Sequence, residues 1–176
     1  MIPSVGALTV LLASFATYCA ASEAFFATAI VTDAKNNSAL ECWQLDANVS
    51  VSTGAGTAGA MTIQLGNLAN VTYTALPANF YGGVHNAPYP QWVVFTSGLA
   101  VVTLPNNTGT AYVPGGPNGI IIAVDTTGSG HNTSYPTNSE TIGLQIPFAN
   151  GIIPSHTVTS EGPCVGNQVQ NVTETE

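Results

Sequence analysis

The chain has no arginine and only one lysine, Lys35, among its 176 residues. Nucleic-acid binding needs several Lys or Arg side chains to neutralise phosphates, so that class of partner is excluded. The same shortage removes the guanidinium clamps that hold anionic substrates and nucleotides. Nine carboxylates leave a formal net charge of −8, and only 6% of residues are charged, so charge alone is a thin source of solubility. Outside the N-terminus no apolar run is long enough to span a bilayer as a helix. No stretch beyond it has the period of an amphipathic helix, and there are no internal repeats or coiled-coil heptads.

What is present begins with the uncharged run from Val5 to Ala21, which closes on Cys19-Ala20-Ala21 before Ser22. That reads as a secretory signal peptide, residues 1–21, with a small-x-small cleavage site, although the segment before the run has no Lys or Arg. A retained signal anchor is the alternative. About 155 residues remain after cleavage, enough for one domain with its own core. The expected division is a domain over 22–164 and a polar, disordered tail over 165–176. Of the three cysteines, Cys42 and Cys164 survive cleavage as an even pair. An oxidising compartment makes one disulfide the default for them, two free thiols being the alternative. N-x-S/T sequons stand at Asn36, Asn48, Asn70, Asn106, Asn132 and Asn171. Glycans on some of these would solubilise weakly charged strand surfaces and keep their edges apart. The expectation is a secreted, extracellular glycoprotein with no membrane partner after cleavage; a homo-oligomer stays open.

Short apolar and alternating segments follow one another between Gly, Pro and Asn clusters. Phe25–Thr32, Asn48–Ser52, Met61–Leu65, Val71–Leu76, Gln91–Thr96, Leu99–Leu104, Ala111–Val113, Thr141–Pro147 and His156–Thr159 read as strands. Ile120–Val124 is continuously apolar, as a strand buried on both faces would be. Turn signals every 8 to 12 residues indicate an all-β sandwich or barrel. An immunoglobulin-like sandwich is the runner-up, but Trp43 directly follows Cys42, which is the wrong spacing for it.

The centre of the chain carries the chemistry. His85, Ala87, Gln91 and Gly98 occupy the offsets of the motif H-x-H-x3-E-x6-G, and Thr126, Gly128 and His131 those of P-x-G-x2-H. Gly119 stands one residue from the glycine that should precede the second motif. These are the two motifs of the cupin superfamily, which the chain resembles over residues 80 to 148; with its terminal Gly162-Pro163-Cys164 it is similar to small secreted cupin-like proteins of fungi. The resemblance implies a single jelly-roll β-barrel, with motif histidines and a glutamate pointing into it as metal ligands. Here His85 and His131 keep two of those places, Gln91 brings a neutral amide where the carboxylate would be, and Ala87 replaces a histidine. Such a remnant holds a divalent metal weakly at best, so no cofactor is expected, and His156 is the one further imidazole.

The sequence therefore predicts a binding or structural extracellular role without a catalytic residue. Its pocket would hold a small neutral molecule or carbohydrate, with His85, Gln91, Trp92 and His131 as ligand-binding residues. Phe80, Tyr81 and Tyr89 could supply further stacking surfaces, but core packing is the expected role of most of them. The competing expectation is a metal-dependent oxidoreductase or isomerase using His85, Gln91 and His131. No G-x-S-x-G elbow is present, no motif pairs the carboxylates, and Asp125 is expected to cap the amides of Thr126 to Gly128.

Overall fold

The computed structural model describes residues 21–105 and 108–173, so the expected signal peptide falls outside them apart from Ala21, as does Asn106. Fourteen strands make up the described chain: β1 Ala21–Thr32, β2 Ser38–Leu45, β3 Ser50–Val51, β4 Met61–Thr62, β5 Thr72–Leu76, β6 Phe80–His85, β7 Gln91–Ser97, β8 Leu99–Thr103, β9 Thr110–Pro114, β10 Ile120–Ala123, β11 His131–Tyr135, β12 Thr141–Pro147, β13 His156–Glu161 and β14 Val169–Thr173. Among the described residues no helix is long and apolar enough to cross a membrane.

Eight consecutive strands pair antiparallel as a nested set: β5 with β12, β6 with β11, β7 with β10 and β8 with β9. Pairing of β12 with β7 and of β11 with β8 joins these into two sheets. The larger runs β13-β2-β1-β10-β7-β12-β5, with β14 added to β1; the smaller runs β6-β11-β8-β9. The all-β class is as the sequence predicts, but the two sheets keep free edges and do not close into a barrel.

Period-two alternation gives the large sheet two buried faces. Ile30, Val93, Phe95, Ile121 and Ala123 face the small sheet and meet Ala100, Val102, Ala111 and Val113 from it. Their sequence neighbours Ala29, Val31, Trp92 and Ile122 point the other way, under Ile63, Leu65 and Phe148. β10 therefore needs apolar residues at every position, because its two faces lie in different cores. Burying Trp92, Ile30 or Ile122, each almost fully enclosed, is worth about 1.5–3 kcal/mol per side chain.

The ends of the chain are built into the large sheet. β1 lies parallel to β10 and antiparallel to β2, and β2 pairs with β13. Residues 169–173, expected in a disordered tail, instead form β14 and pair with Ala21 to Phe25. The alternation Val169, Asn171 against Gln170, Val172 was too polar to read as a strand, yet β1 supplies an open edge for it. Cys42 and Cys164 stand at disulfide distance, Cα atoms 4.6 Å apart, within a small cluster containing Ala24, Phe26 and Val172.

Candidate functional site

His85 closes β6 and His131 opens β11, and the two residues are direct partners across that ladder. Cross-strand partners project to the same face, so both imidazoles turn toward the large sheet, with ring centroids 4.5 Å apart. Gln91, the first residue of β7, faces them from the large sheet and is 5% exposed. His85, Gln91 and His131 line one intersheet cavity of about 240 Å³, together with Thr133, Tyr135 and Gln145 and an aliphatic wall. The structure thus brings together the three residues that the motif spacing singles out.

The approach to His131 requires glycine. Gly130 has φ +72°, and a Cβ there would sit 2.8 Å from the His85 carbonyl oxygen. The turn is stapled from two sides: the Asn86 amide donates to the carbonyls of Asp125 and Thr127, and the Thr32 hydroxyl donates to Thr127. The backbone N–H of Ser38 donates to the Ser129 hydroxyl at 2.9 Å, fixing the turn against β2.

Asp125 does not cap the turn that follows it. Its carboxylate is fully buried, and Oδ2 accepts from the Ser38 hydroxyl at 2.6 Å and from His131 Nδ1 at 2.8 Å. Oδ1 has no partner among the described residues. The last apolar residues of β10 carry the chain inward, so the carboxylate reaches the interior rather than the turn's outer face, and only side chains offer it donors. Ser38 is the residue that sequence reasoning missed; it lies 87 positions away and no local pattern marks it. His85 is the more exposed imidazole, and its Nδ1 donates to the Gly83 carbonyl at 3.0 Å. Tyr135, another wall residue, has its phenol pushed up to about 12 by burial.

Three expectations are corrected by the direction of side chains. Trp92 is not a ligand-binding residue of this cavity: being next to Gln91 on a strand it points into the opposite core, fully buried, and its indole N–H donates to the Leu65 carbonyl at 2.9 Å. His156 does not join the pair, because β13 is the outer edge of the large sheet and its ring stacks on Trp43 at 3.5 Å. Phe80, Tyr81 and Tyr89 are exposed rather than core residues. Among the described residues, no three His, Cys, Asp or Glu side chains are grouped so as to hold a metal ion. His131 has its carboxylate neighbour behind the ring, not in front of it.

A wider surface cleft of about 480 Å³ runs beside β2 and carries Asp33, Glu41 and Glu161. Glu41 and Glu161 face each other across β2 and β13, a like-charge pair that is unfavourable by itself. Backbone N–H donation from Asn37 to Asp33 lowers the pKa of that carboxyl group below its ordinary value. Of the sequons, Asn36, Asn48, Asn70 and Asn171 are exposed. Asn132 is partly buried on the outer face of β11, and its amide donates to Thr103 at 3.1 Å. Comparison with protein-family models, curated proteins and solved structures finds no match for this chain.

Proposed function

We propose that this chain is a secreted, N-glycosylated, cupin-like protein whose intersheet cavity binds a small neutral molecule without transforming it. The observation that carries the reading is the convergence of His85, Gln91 and His131 on one cavity, where they stand with Thr133, Tyr135 and Gln145 against an apolar wall of Ile30, Val93, Phe95 and Ile121. Concave, mainly apolar sites with a few placed polar groups are the usual form of small-molecule sites. The cupin relation and the jelly-roll topology belong to the same proposal. They are supported by the nested pairing of β5 to β12, because eight strands folded back on themselves into two facing sheets are what a jelly roll is. Secretion is supported by the disulfide-distance pair and by four exposed sequons.

Ligand-observed NMR of the secreted protein against neutral fragments and monosaccharides, followed by protein-observed spectra of the histidine rings with each hit, tests the reading. Hits should perturb the imidazole resonances of His85 and His131; hits that leave both unchanged would sink it.

One observation favours a second reading, a metal-dependent enzyme. Both histidines give Nδ1–H to an acceptor, His131 to a carboxylate and His85 to a carbonyl, which is how imidazoles that ligate a metal through Nε2 are oriented. Against it stand the amide of Gln91 in place of an anionic ligand and the lack of a third imidazole at the cavity. A divalent metal would be held by His85, His131 and Gln91 and would act there as a Lewis acid. Elemental analysis of the secreted protein separates the readings: one tightly held divalent metal per chain favours the enzyme.

A further inference from the structure

Both imidazoles present the same chemical edge. Each commits Nδ1 to an atom that accepts: Asp125 Oδ2 for His131 and the Gly83 carbonyl for His85. In a neutral imidazole Nδ1 then carries the proton, and Nε2 keeps its lone pair. His131 is held in that tautomer from behind. The Asp125 carboxylate is fully buried, and Ser38 and His131 are its only side-chain donors among the described residues, so turning the imidazole round would strip it of one of two. The result is a pair of acceptor rings, centred 4.5 Å apart, in a cavity also walled by Val93, Phe95 and Ile121. A ligand that covers these acceptors takes the place of water, and the hydrogen bond is lost unless the ligand donates one.

We propose, resting on the small-molecule reading above, that this cavity selects a neutral ring compound bearing a hydroxyl group, a phenol. Its O–H donates to Nε2 of His131, with His85 as the second acceptor beside it, and its ring packs on Phe95 and Val93. A carboxylate is refused because it would set acceptor against acceptor, next to Asp125, in a chain with no arginine and one lysine. A free sugar is disfavoured because the part of it that meets Ile30, Val93, Phe95 and Ile121 finds no partner for its hydroxyls. Size agrees: an engineered apolar cavity of roughly 150 Å³ takes up benzene, so about 240 Å³ accommodates a single substituted ring.

The test begins with the unmutated secreted protein, titrated calorimetrically with p-cresol, its methyl ether, toluene and benzoate. The expected result is that p-cresol binds at least ~10-fold tighter than the ether or toluene, and that benzoate does not bind. Equal affinity for cresol, ether and toluene overturns donor selection but leaves a small-molecule cavity standing. Preference for the ether or for benzoate means that the rings present N–H, and overturns the proposal as well. If none of the four binds, the small-molecule reading falls and takes the proposal with it. Asp125→Asn provides a second arm, because an amide N–H can donate to His131 Nδ1 and move the ring proton to Nε2. The preference for cresol over its ether should then shrink or reverse in a variant whose near-ultraviolet dichroism is unchanged. A folded variant that keeps the full preference overturns the tautomer argument; should the variant not fold, the unmutated series decides alone.

Discussion

Removing the Cys42–Cys164 link with the paired substitutions Cys42→Ala and Cys164→Ala should cost close to the full chain-entropy value. The two cysteines are separated by 122 positions. Loop closure of that length constrains the unfolded chain by about 5 kcal/mol at 25 °C in the entropy model, an upper figure because residual denatured structure subtracts from it. Native-state loss should be small for a structural reason. Glu161, three residues before Cys164, is already paired to Glu41, and β14 is laddered to β1 on the other side, so the strands hold the two positions together without the bond. Both side chains belong to a small apolar cluster, which alanine trims without leaving a polar group unpaired. The net expectation is a loss of about 3–5 kcal/mol, which at this chain length is a fall of roughly 10 °C in Tm. Urea unfolding of the secreted protein and its double variant measures it, with slopes compared to detect a change in the unfolded state. A double variant within about 1 kcal/mol of the parent would refute the reasoning, as would two alkylatable thiols in the parent.

Trp92→Phe should destabilise by about 2–4 kcal/mol, since it orphans the Leu65 carbonyl and opens space in the far core, yet leave the affinity of any cavity ligand unchanged; altered affinity would mean that the two faces of β7 are not independent. Gly98→Ala should lose about 3 kcal/mol or more, because φ is +79° and the added Cβ would stand 2.8 Å from the Thr141 Cα; adding Thr141→Ala removes the contact with Oγ1 but not that backbone contact, so stability measured by urea should recover only in part. For Tyr135 the folded-state pKa is raised from 10.0 to about 12, so both states hold the proton below pH 10 and only the unfolded chain releases it between 10 and 12. Stability must then fall across that window, by at most ~2.7 kcal/mol and less for a ring that is not fully enclosed; Tyr135→Phe should flatten that part of the stability profile, and an unchanged slope would count against burial as the cause.

Strands with a patterned apolar signal were legible in the sequence, because period-two alternation records one buried face, as in β5, β8 and β12, and an unbroken apolar run records two, as in β7 and β10. β5, β7, β8, β10 and β12 all begin or end within a residue or two of where that signal does. The alternating pair around Gly54–Gly59 was a weaker case. Only Ser50–Val51 and Met61–Thr62 pair there, because Ile63 and Leu65 leave the hairpin to cover the large sheet. Barrel closure could not be read at all, since alternation reports which residues are buried and not which strand edges meet. The chain instead adds β1, β2, β13 and β14 to one sheet only, and the two sheets stay unequal and open.

The strands hardest to read are the two that carry the histidines. Phe80-Tyr-Gly-Gly-Val-His85 looks like a glycine-rich approach and His131-Asn-Thr-Ser-Tyr135 like a polar loop, since neither has an apolar face to announce it. β6 is an edge strand with its residues largely exposed, and β11 turns His131 and Thr133 inward where an ordinary strand would bury Val or Ile. A local conflict between pattern and fold of this kind is expected where a site displaces core residues. The motif offsets recovered the histidines in spite of it, because spacing along the chain survives when hydrophobicity does not. Spacing could not recover Ser38, which reaches Asp125 only because β1 and β2 bring the N-terminal hairpin under the turn before β11. One of the two donors to the buried carboxylate thus comes from outside the nested eight strands. That dependence ties the tautomer of His131 to the N-terminal addition: shortening β2 at Ser38 would disturb the cavity without touching any residue that lines it.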